Sequence, residues 1–431
     1  MRLLDRMLAK LLKHGELTVI GPSGETRRYG TPDPELKPVT LRLMDRRAAL
    51  QILRDPTIGA VEAWMDDRLR LEQGEIIDLT RMVRRNIRWE ERNDRSNFLR
   101  HSGKLRHWLD TYNLRRQARR NVAHHYDVGN EVYRLFLDSD MQYSCAYFTD
   151  PANDLEQAQR DKKAHIAAKL RLEPGQRVLD IGCGWGGLAL YLNRVADVDV
   201  LGITLSEEQL ALARQRAEEA GVADRVKFEL TDFRDVTGEF DRVVSVGMFE
   251  HIGTSFYPAF FRKVRELLTY DGVALLHTIG RMGTPGKTDR FMHKYIFPGG
   301  YVPALSEVMK ASEPERLIMS DCEILRLHYM YTLQAWYDRF KANRDEIVRL
   351  RGERFWKLYA FYLAGAMTMF SDGGMVVYQL QYMRNRWAAP ITRDYMIDTE
   401  RRLRAEARKR CLFPKPRSAS FPPDYNRMTD S

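Results

Sequence analysis

The sequence predicts an α/β protein: a parallel sheet with helices on both faces, a small α+β domain in front of it and a helical region behind. Three observations predict this. Val178-Leu179-Asp180-Ile181 reads as a buried strand that runs into Gly182-Cys183-Gly184-Trp185-Gly186-Gly187, and an amphipathic stretch with Leu188, Ala189, Leu190 and Leu192 follows. Strand and helix patterns then alternate through Val198–Ile203, 206–220, Val226–Leu230, Arg242–Val246, 256–268 and Gly272–Thr278. Such alternation builds βαβ units, whose crossovers cover both faces of a parallel sheet. Residues 1–100 have a different texture, with a hairpin pattern and no such repeat.

Within residues 2–14, Leu3, Leu4, Met7, Leu8, Leu11 and Leu12 fall at helical spacing beside Arg2, Arg6, Lys10 and Lys13. A helix of this kind covers a small sheet or lies on a bilayer. The hairpin pattern that follows favours the sheet. Leu17–Ile20, the turn Gly21-Pro22-Ser23-Gly24 and Thr26–Gly30 read as strand, turn, strand. A connector with Pro32, Pro34 and Pro38 leads to a strand at Val39–Leu43 and helical patterns at 46–54 and 59–67.

Residues 75–120 read as helical and strongly basic. Arg81, Arg84, Arg85, Arg88, Arg92, Arg95 and Arg100 precede Arg115, Arg116, Arg119 and Arg120, with Trp89 and Trp108 between them. A run like this serves as a solvated face, a nucleic-acid surface or a site for anionic headgroups, the last worth roughly 1 kcal/mol per basic residue. A helix at 131–137 and an amphipathic helix at 154–171 lead into the glycine-terminated strand. Residues 303–312 and 333–410 read as helices, the latter rich in aromatics and Met, among them Trp336, Tyr337, Phe340, Phe361 and Met367. That stripe is a packed core or the lining of a cavity for a flexible apolar chain. The organisation expected is a module at 1–100, a basic linker at 101–125, a catalytic domain at 126–411 and a partly ordered, Pro-rich tail at 412–431.

The chain has 431 residues and a net charge of +10, which suits an anionic partner, either nucleic acid or a membrane surface. Its four cysteines, at 145, 183, 322 and 411, lack the spacing of a zinc site and point to a reducing compartment. Asp5, Lys10 and Lys13 interrupt the first apolar run, which excludes a signal peptide there. No apolar run approaches the roughly 18 residues of a membrane span, so membrane contact is expected to be peripheral.

A glycine turn at the carboxyl end of a strand is where an open α/β sheet holds its ligand. Gly182-x-Gly184-x-Gly186-Gly187 lacks dinucleotide spacing and is similar instead to the first motif of S-adenosylmethionine (SAM) methyltransferases. The second strand ends at Thr204-Leu205-Ser206. Ser206 reads as a helix cap with Gln209 at the third helical position. Thr204 and Gln209 are candidates for ribose contact, Asp232 for the adenine amino group and Phe233 for the adenine ring. Glu250-His251 follows the fourth strand and His277 ends the fifth. A single buried histidine is commonly structural; two strand ends beside one glycine turn point to a site. Gly283–Thr288 is no phosphate loop, because Arg281 stands where its first glycine belongs.

Further motifs extend the likeness. Gln142-Tyr-Ser-Cys145-Ala-Tyr, Val178-Leu-Asp-Ile-Gly-Cys-Gly-Trp-Gly-Gly, Ser245-Val-Gly-Met-Phe-Glu250-His, Leu276-His277-Thr-Ile279-Gly, Lys294-Tyr-Ile-Phe-Pro-Gly and Tyr329…Thr332-Leu-Gln-Ala-Trp336-Tyr resemble bacterial cyclopropane-fatty-acyl-phospholipid synthases, over about 121–375. The first hundred residues resemble, more loosely, the N-terminal lipid-binding module of the longer members.

The resemblance implies a Rossmann-like class I SAM methyltransferase sheet with an appended helical lipid-binding region. It implies SAM held by Tyr143, Ser144, Asp180, Gly182, Gly184, Gly186, Thr204, Leu205, Gln209, Asp232 and Phe233. It implies a bicarbonate base held by Cys145, Glu250, His277, Ile279 and Tyr329, with Cys145 an anion contact and not a nucleophile. The double bond itself attacks the sulfonium methyl, and Tyr329, Phe148 or Trp336 would stabilise the resulting cation. The expected substrate is an unsaturated phospholipid, met by a cytoplasmic enzyme peripheral on the inner face of the membrane, with no nucleic acid; homodimers are frequent among family members. The alternatives are a lipid C-methyltransferase giving a methyl-branched or methylene-bearing chain, an amine methyltransferase, and a basic nucleic-acid binder on the same fold.

Overall fold

The computed structural model describes residues 2–91 and 128–410. The linker at 101–125, the arginines from Arg92 to Arg120, Trp108, residues 121–127, Cys411 and the tail at 412–431 lie outside the described residues.

A four-stranded sheet forms first: β1 (Leu17–Ile20), β2 (Thr26–Tyr29), β3 (Val39–Leu43) and β4 (Leu69–Gln73), in the order β2-β1-β3-β4. β4 was not expected. The helix Arg2–Leu11 covers this sheet: Leu4 is buried, and Asp5 pairs with Arg27 and accepts from the Tyr29 hydroxyl at 3.0 Å. The sheet has no core of its own. Leu17, Leu41, Trp64 and Met82 share one continuous core with Trp336, Phe340, Tyr359 and Leu363 of the helices His328–Ala342 and Glu353–Ser371. Trp64 lies 6.4 Å from Trp356, and Lys357 pairs with Asp67 at 2.7 Å.

The large sheet contains β5 (Arg177–Ile181), β6 (Asp199–Thr204), β7 (Val226–Leu230), β8 (Phe240–Val246), β9 (Leu268–Arg281), β10 (Ile318–Leu325) and β11 (Met375–Met383). Its order is β10-β11-β9-β8-β5-β6-β7. β5 to β9 are mutually parallel, as expected, and β11 runs antiparallel between β9 and β10. The helical reading of 333–410 fails at β11. Every residue of β11 after Met375 is buried, because the strand is central and covered on both faces. Such a strand loses its alternation and reads like a buried helix. β10 was also missed.

The helix Leu155–Leu170 departs from expectation in another way. Its sequence predicts an amphipathic helix, yet 13 of its 16 residues are buried. The C-terminal helix Asp394–Arg410 covers its outer side, where Glu400 meets His165 Nδ1 at 2.8 Å and Arg404 meets Asp161 at 3.2 Å.

The described part of the arginine run has protein partners. Arg81 donates to Gln334 at 2.7 Å, Arg85 pairs with Glu35 at 2.7 Å and Arg88 with Asp372 at 3.1 Å. Arg81 and Arg88 thereby tie the N-terminal module to the catalytic half, while Arg85 is held within the module. Among the described residues, no helix is long and apolar enough to cross a membrane.

Candidate active site

β5, β6 and β8 end around one pocket. Gly182 and Gly184 have φ of 84° and 55°, a left-handed region that favours glycine. The N–H groups of Gly182 and Cys183 donate to Ile203 O at 2.9 and 3.0 Å, which pins the turn to β6. At Gly184 an added Cβ would meet nothing within 4 Å, so the turn presents bare backbone to open space. Gly186 does not line the pocket. An added Cβ there would meet Phe228 at 2.6 Å and Ala213 at 3.1 Å, so its glycine serves close helix–sheet packing.

Tyr143, Ser144, Asp180, Gly182 and Gly184 line the pocket, together with Thr204, Leu205, Gln209, Asp232 and Phe233. Ser206 caps its helix by accepting from Gln209 N at 3.3 Å, and the Thr204 hydroxyl donates to Gln209 Oε1 at 3.0 Å. Asp232 differs from expectation. Arg234 folds back over the turn Phe233–Asp235 and donates Nε and Nη2 to its two oxygens at 2.8 and 2.6 Å. An adenine amino group would share that carboxylate with Arg234.

Asp180 is buried and neither of its oxygens has a partner. Burial raises its pKa from 3.8 to about 7, against the opposing pull of Lys162. An unpaired buried carboxylate beside bare glycine backbone fits a ligand carrying an ammonium group, as the amino-acid end of SAM does. Lys162, Met248 and His251 also line the pocket. Lys162 was missed, because a lysine followed by Lys163 reads as a solvated helix face.

A second group does not line the pocket and begins next to its lining residue His251. Glu250 occupies a 3-10 turn after β8, where its Oε1 accepts from Ile279 N at 2.5 Å and its Oε2 is buried without a partner. Burial raises its pKa to about 7. The Ile279 N–H, one candidate anion donor, is therefore already engaged. His277 is buried and shares Nδ1 with Gln379 Nε2 at 3.1 Å. Burial holds its imidazole well below the usual range.

Cys145 is buried, and burial pushes its thiol well up, so the residue is a neutral thiol and a poor nucleophile. Tyr329, on the helix His328–Ala342, shares one buried cluster with Cys145 and Trp336, and Tyr143 and Ile279, the latter the donor to Glu250, pack against that cluster. Its ring lies edge-on to Trp336 at 5.8 Å, and Trp336 stacks on Tyr143 at 5.0 Å. Phe148 packs on Tyr331 instead. No group of His, Cys, Asp and Glu among the described residues could hold a metal ion.

Residues 113–380 match the family model described as mycolic acid cyclopropane synthetase. The chain belongs to that family. It is 36% identical to the cyclopropane-fatty-acyl-phospholipid synthase of Escherichia coli K12 over 80% of this chain and 88% of the relative. It is 42% identical to a probable fatty acid methyltransferase of Pseudomonas putida over 60% of this chain and 68% of the relative. Among solved structures, the mycolic acid cyclopropane synthase CmaA1 in complex with S-adenosylhomocysteine (SAH) superposes with a TM-score of 0.59 at 34% identity, covering 61% of this chain and 97% of that one. As a member of the mycolic acid cyclopropane synthetase family, the protein is a SAM-dependent methyltransferase with the class I fold.

Proposed function

We propose that the enzyme adds a methylene group from SAM across a cis double bond of an unsaturated phospholipid acyl chain, closing a cyclopropane ring. The observation that carries this reading is Glu250 Oε2, buried without a hydrogen-bond partner, its other oxygen held by Ile279, which packs on the aromatic cluster of Cys145, Tyr329 and Trp336. That setting suits a reaction with an apolar substrate and one proton to remove. The alkene π pair forms the new carbon–carbon bond, and loss of a proton from the transferred methyl lets its C–H pair close the ring. Bicarbonate supplies the base for that proton. Glu250, protonated in part near neutral pH, donates a hydrogen bond to the anion and tunes its basicity. His277, Cys145 and Tyr329 supply further polar contacts without adding negative charge. The rings of Tyr329 and Trp336 face developing positive charge and exclude water.

The phospholipid substrate calls for peripheral contact with the inner face of the cytoplasmic membrane. Homologues named as fatty acid methyltransferases support a methyl-branched or methylene-bearing product as the second reading. The deciding experiment incubates the full chain with SAM and vesicles of cis-monounsaturated phospholipid. Addition of one CH₂ to an acyl chain that resists mild hydrogenation supports the ring. A CH₂ gain whose chain takes up H₂ under the same conditions indicates an exocyclic methylene, a gain of CH₂ plus two hydrogens indicates a methyl branch, and unmodified chains overturn the acyl reading.

A further inference from the structure

Lys162 is fully buried and lines the cofactor pocket. Its Nζ donates to Gln142 Oε1 and Ser144 Oγ, both at 2.8 Å. An ammonium group has three donors. Among the described residues, the third finds no acceptor.

The acidic neighbours do not complete it. Asp138 accepts from the backbone N–H groups of Asp140 and Gln142, and Asp140 pairs with Lys163 and Arg216. Burial lowers Lys162 to about 8, with Asp138 the strongest opposing influence and Lys163 adding to the depression. A buried cation held by two neutral acceptors is costly, so it is retained where something anionic meets it. Asp180, whose carboxyl senses the Lys162 charge, makes no hydrogen bond to it and is itself a buried carboxylate short of a donor on the same pocket. Ser144, the acceptor of Lys162, directly precedes Cys145. The ammonium therefore stands at the junction of the cofactor pocket and the segment that carries Cys145.

We propose that Lys162 is the cation that receives a small carboxylate-type oxyanion at this junction. Two molecules carry that chemistry, the amino-acid end of SAM and bicarbonate. The inference rests on the cofactor pocket and not on the identity of the acyl substrate.

Calorimetry on the full chain tests it with three titrants: SAH, decarboxylated SAH, and bicarbonate added to SAH-loaded protein. Lys162→Met should weaken SAH or bicarbonate roughly tenfold or more, the scale of one charged hydrogen bond, and Lys162→Arg should recover part of the loss. If the amino-acid carboxylate is the partner, wild type loses a similar factor on decarboxylated SAH, and Lys162→Met binds the two nucleosides alike. If bicarbonate is the partner, wild type binds the two nucleosides alike and the bicarbonate titration alone weakens in Lys162→Met. Unchanged binding of both SAH and bicarbonate, within about twofold, by a Lys162→Met protein with native circular dichroism overturns the proposal. Should that variant not fold, the wild-type arms decide: equal binding of the two nucleosides with no detectable bicarbonate binding overturns it. No arm uses lipid, so failure here is separable from failure of the acyl reading.

Discussion

Ile279 donates its backbone N–H to Glu250 Oε1 across the carboxyl ends of β8 and β9, while Glu250 Oε2 stays buried without a partner. Two consequences follow for a carboxyl group whose pKa rises from 4.5 to about 7 on folding. Between those values the folded protein keeps a proton that the unfolded chain has lost. The stability this provides is full below pH 4.5 and falls as pH rises through 7, by about 3 kcal/mol. Glu250→Gln keeps the shape and cannot ionise, so its denaturant midpoint should fall less than that of wild type between pH 5 and pH 8. Its turnover should drop roughly 10²-fold with SAH affinity kept. Identical pH slopes for the two proteins would remove the assignment of a raised Glu250.

Asp180 shows the same sign for a different purpose. Its pKa rises from 3.8 to about 7 because both oxygens are buried and unpaired, so ionisation at pH 8 costs the apo protein stability. Asp180→Asn should make the apo protein more stable than wild type at pH 8, by about 1–3 kcal/mol, and less able to bind SAH. Thermal melts with and without SAH measure both. A variant that is less stable and still binds SAH normally would show that Asp180 is a packing residue.

The contrast between these groups explains what the sequence revealed. The glycine turn and the residues ending β5, β6, β8 and β9 are legible because the chemistry needs particular residue types at strand ends. Gly186 looked the same as Gly182 and Gly184, and only the position of Phe228 shows that it serves packing. Lys162 was hidden because burial of the helix Leu155–Leu170 depends on a helix more than 200 residues later. Arg81 and Arg88 read as surface charge because their partners Gln334 and Asp372 lie 253 and 284 residues away. β11 was hidden by being buried on both faces, which erases the period that separates strand from helix.

His277 titrates in the opposite sense. Burial holds its imidazole well below 6.5, and Gln379 Nε2 lies 3.1 Å from Nδ1. The folded ring refuses a proton that the unfolded chain accepts, so this stability is present above pH 6.5 and is lost as pH falls. A neutral His277 at working pH adds no limb near 6.5 to the rate profile. Gln379 is itself fully buried and fixes the ring. Gln379→Leu should lower kcat roughly tenfold and leave SAH affinity unchanged, which separates ring orientation from cofactor binding. An unchanged kcat in a folded variant would show that the contact does not orient His277.

Trp89 clamps the two strands that carry these residues. Its backbone N–H donates to Asp372 O at 3.0 Å, and its ring lies against Gly283, just after β9, and Gly374, just before β11. A Cβ added at Gly374 would stand 2.6 Å from the indole, closer than real contacts allow. Trp89 is 40% exposed, so the ring can swing outward in response. Gly374→Ala should therefore cost about 1–2 kcal/mol and red-shift the tryptophan emission. In a Trp89→Ala background the same substitution should cost less than about 0.5 kcal/mol, because the clashing ring is gone. A full cost in both backgrounds would place the strain in the backbone of the β11 entry and not in the contact with Trp89. A cost confined to the wild-type background ties the small N-terminal sheet, through one indole, to the ends of the strands that hold His277, Ile279 and Gln379.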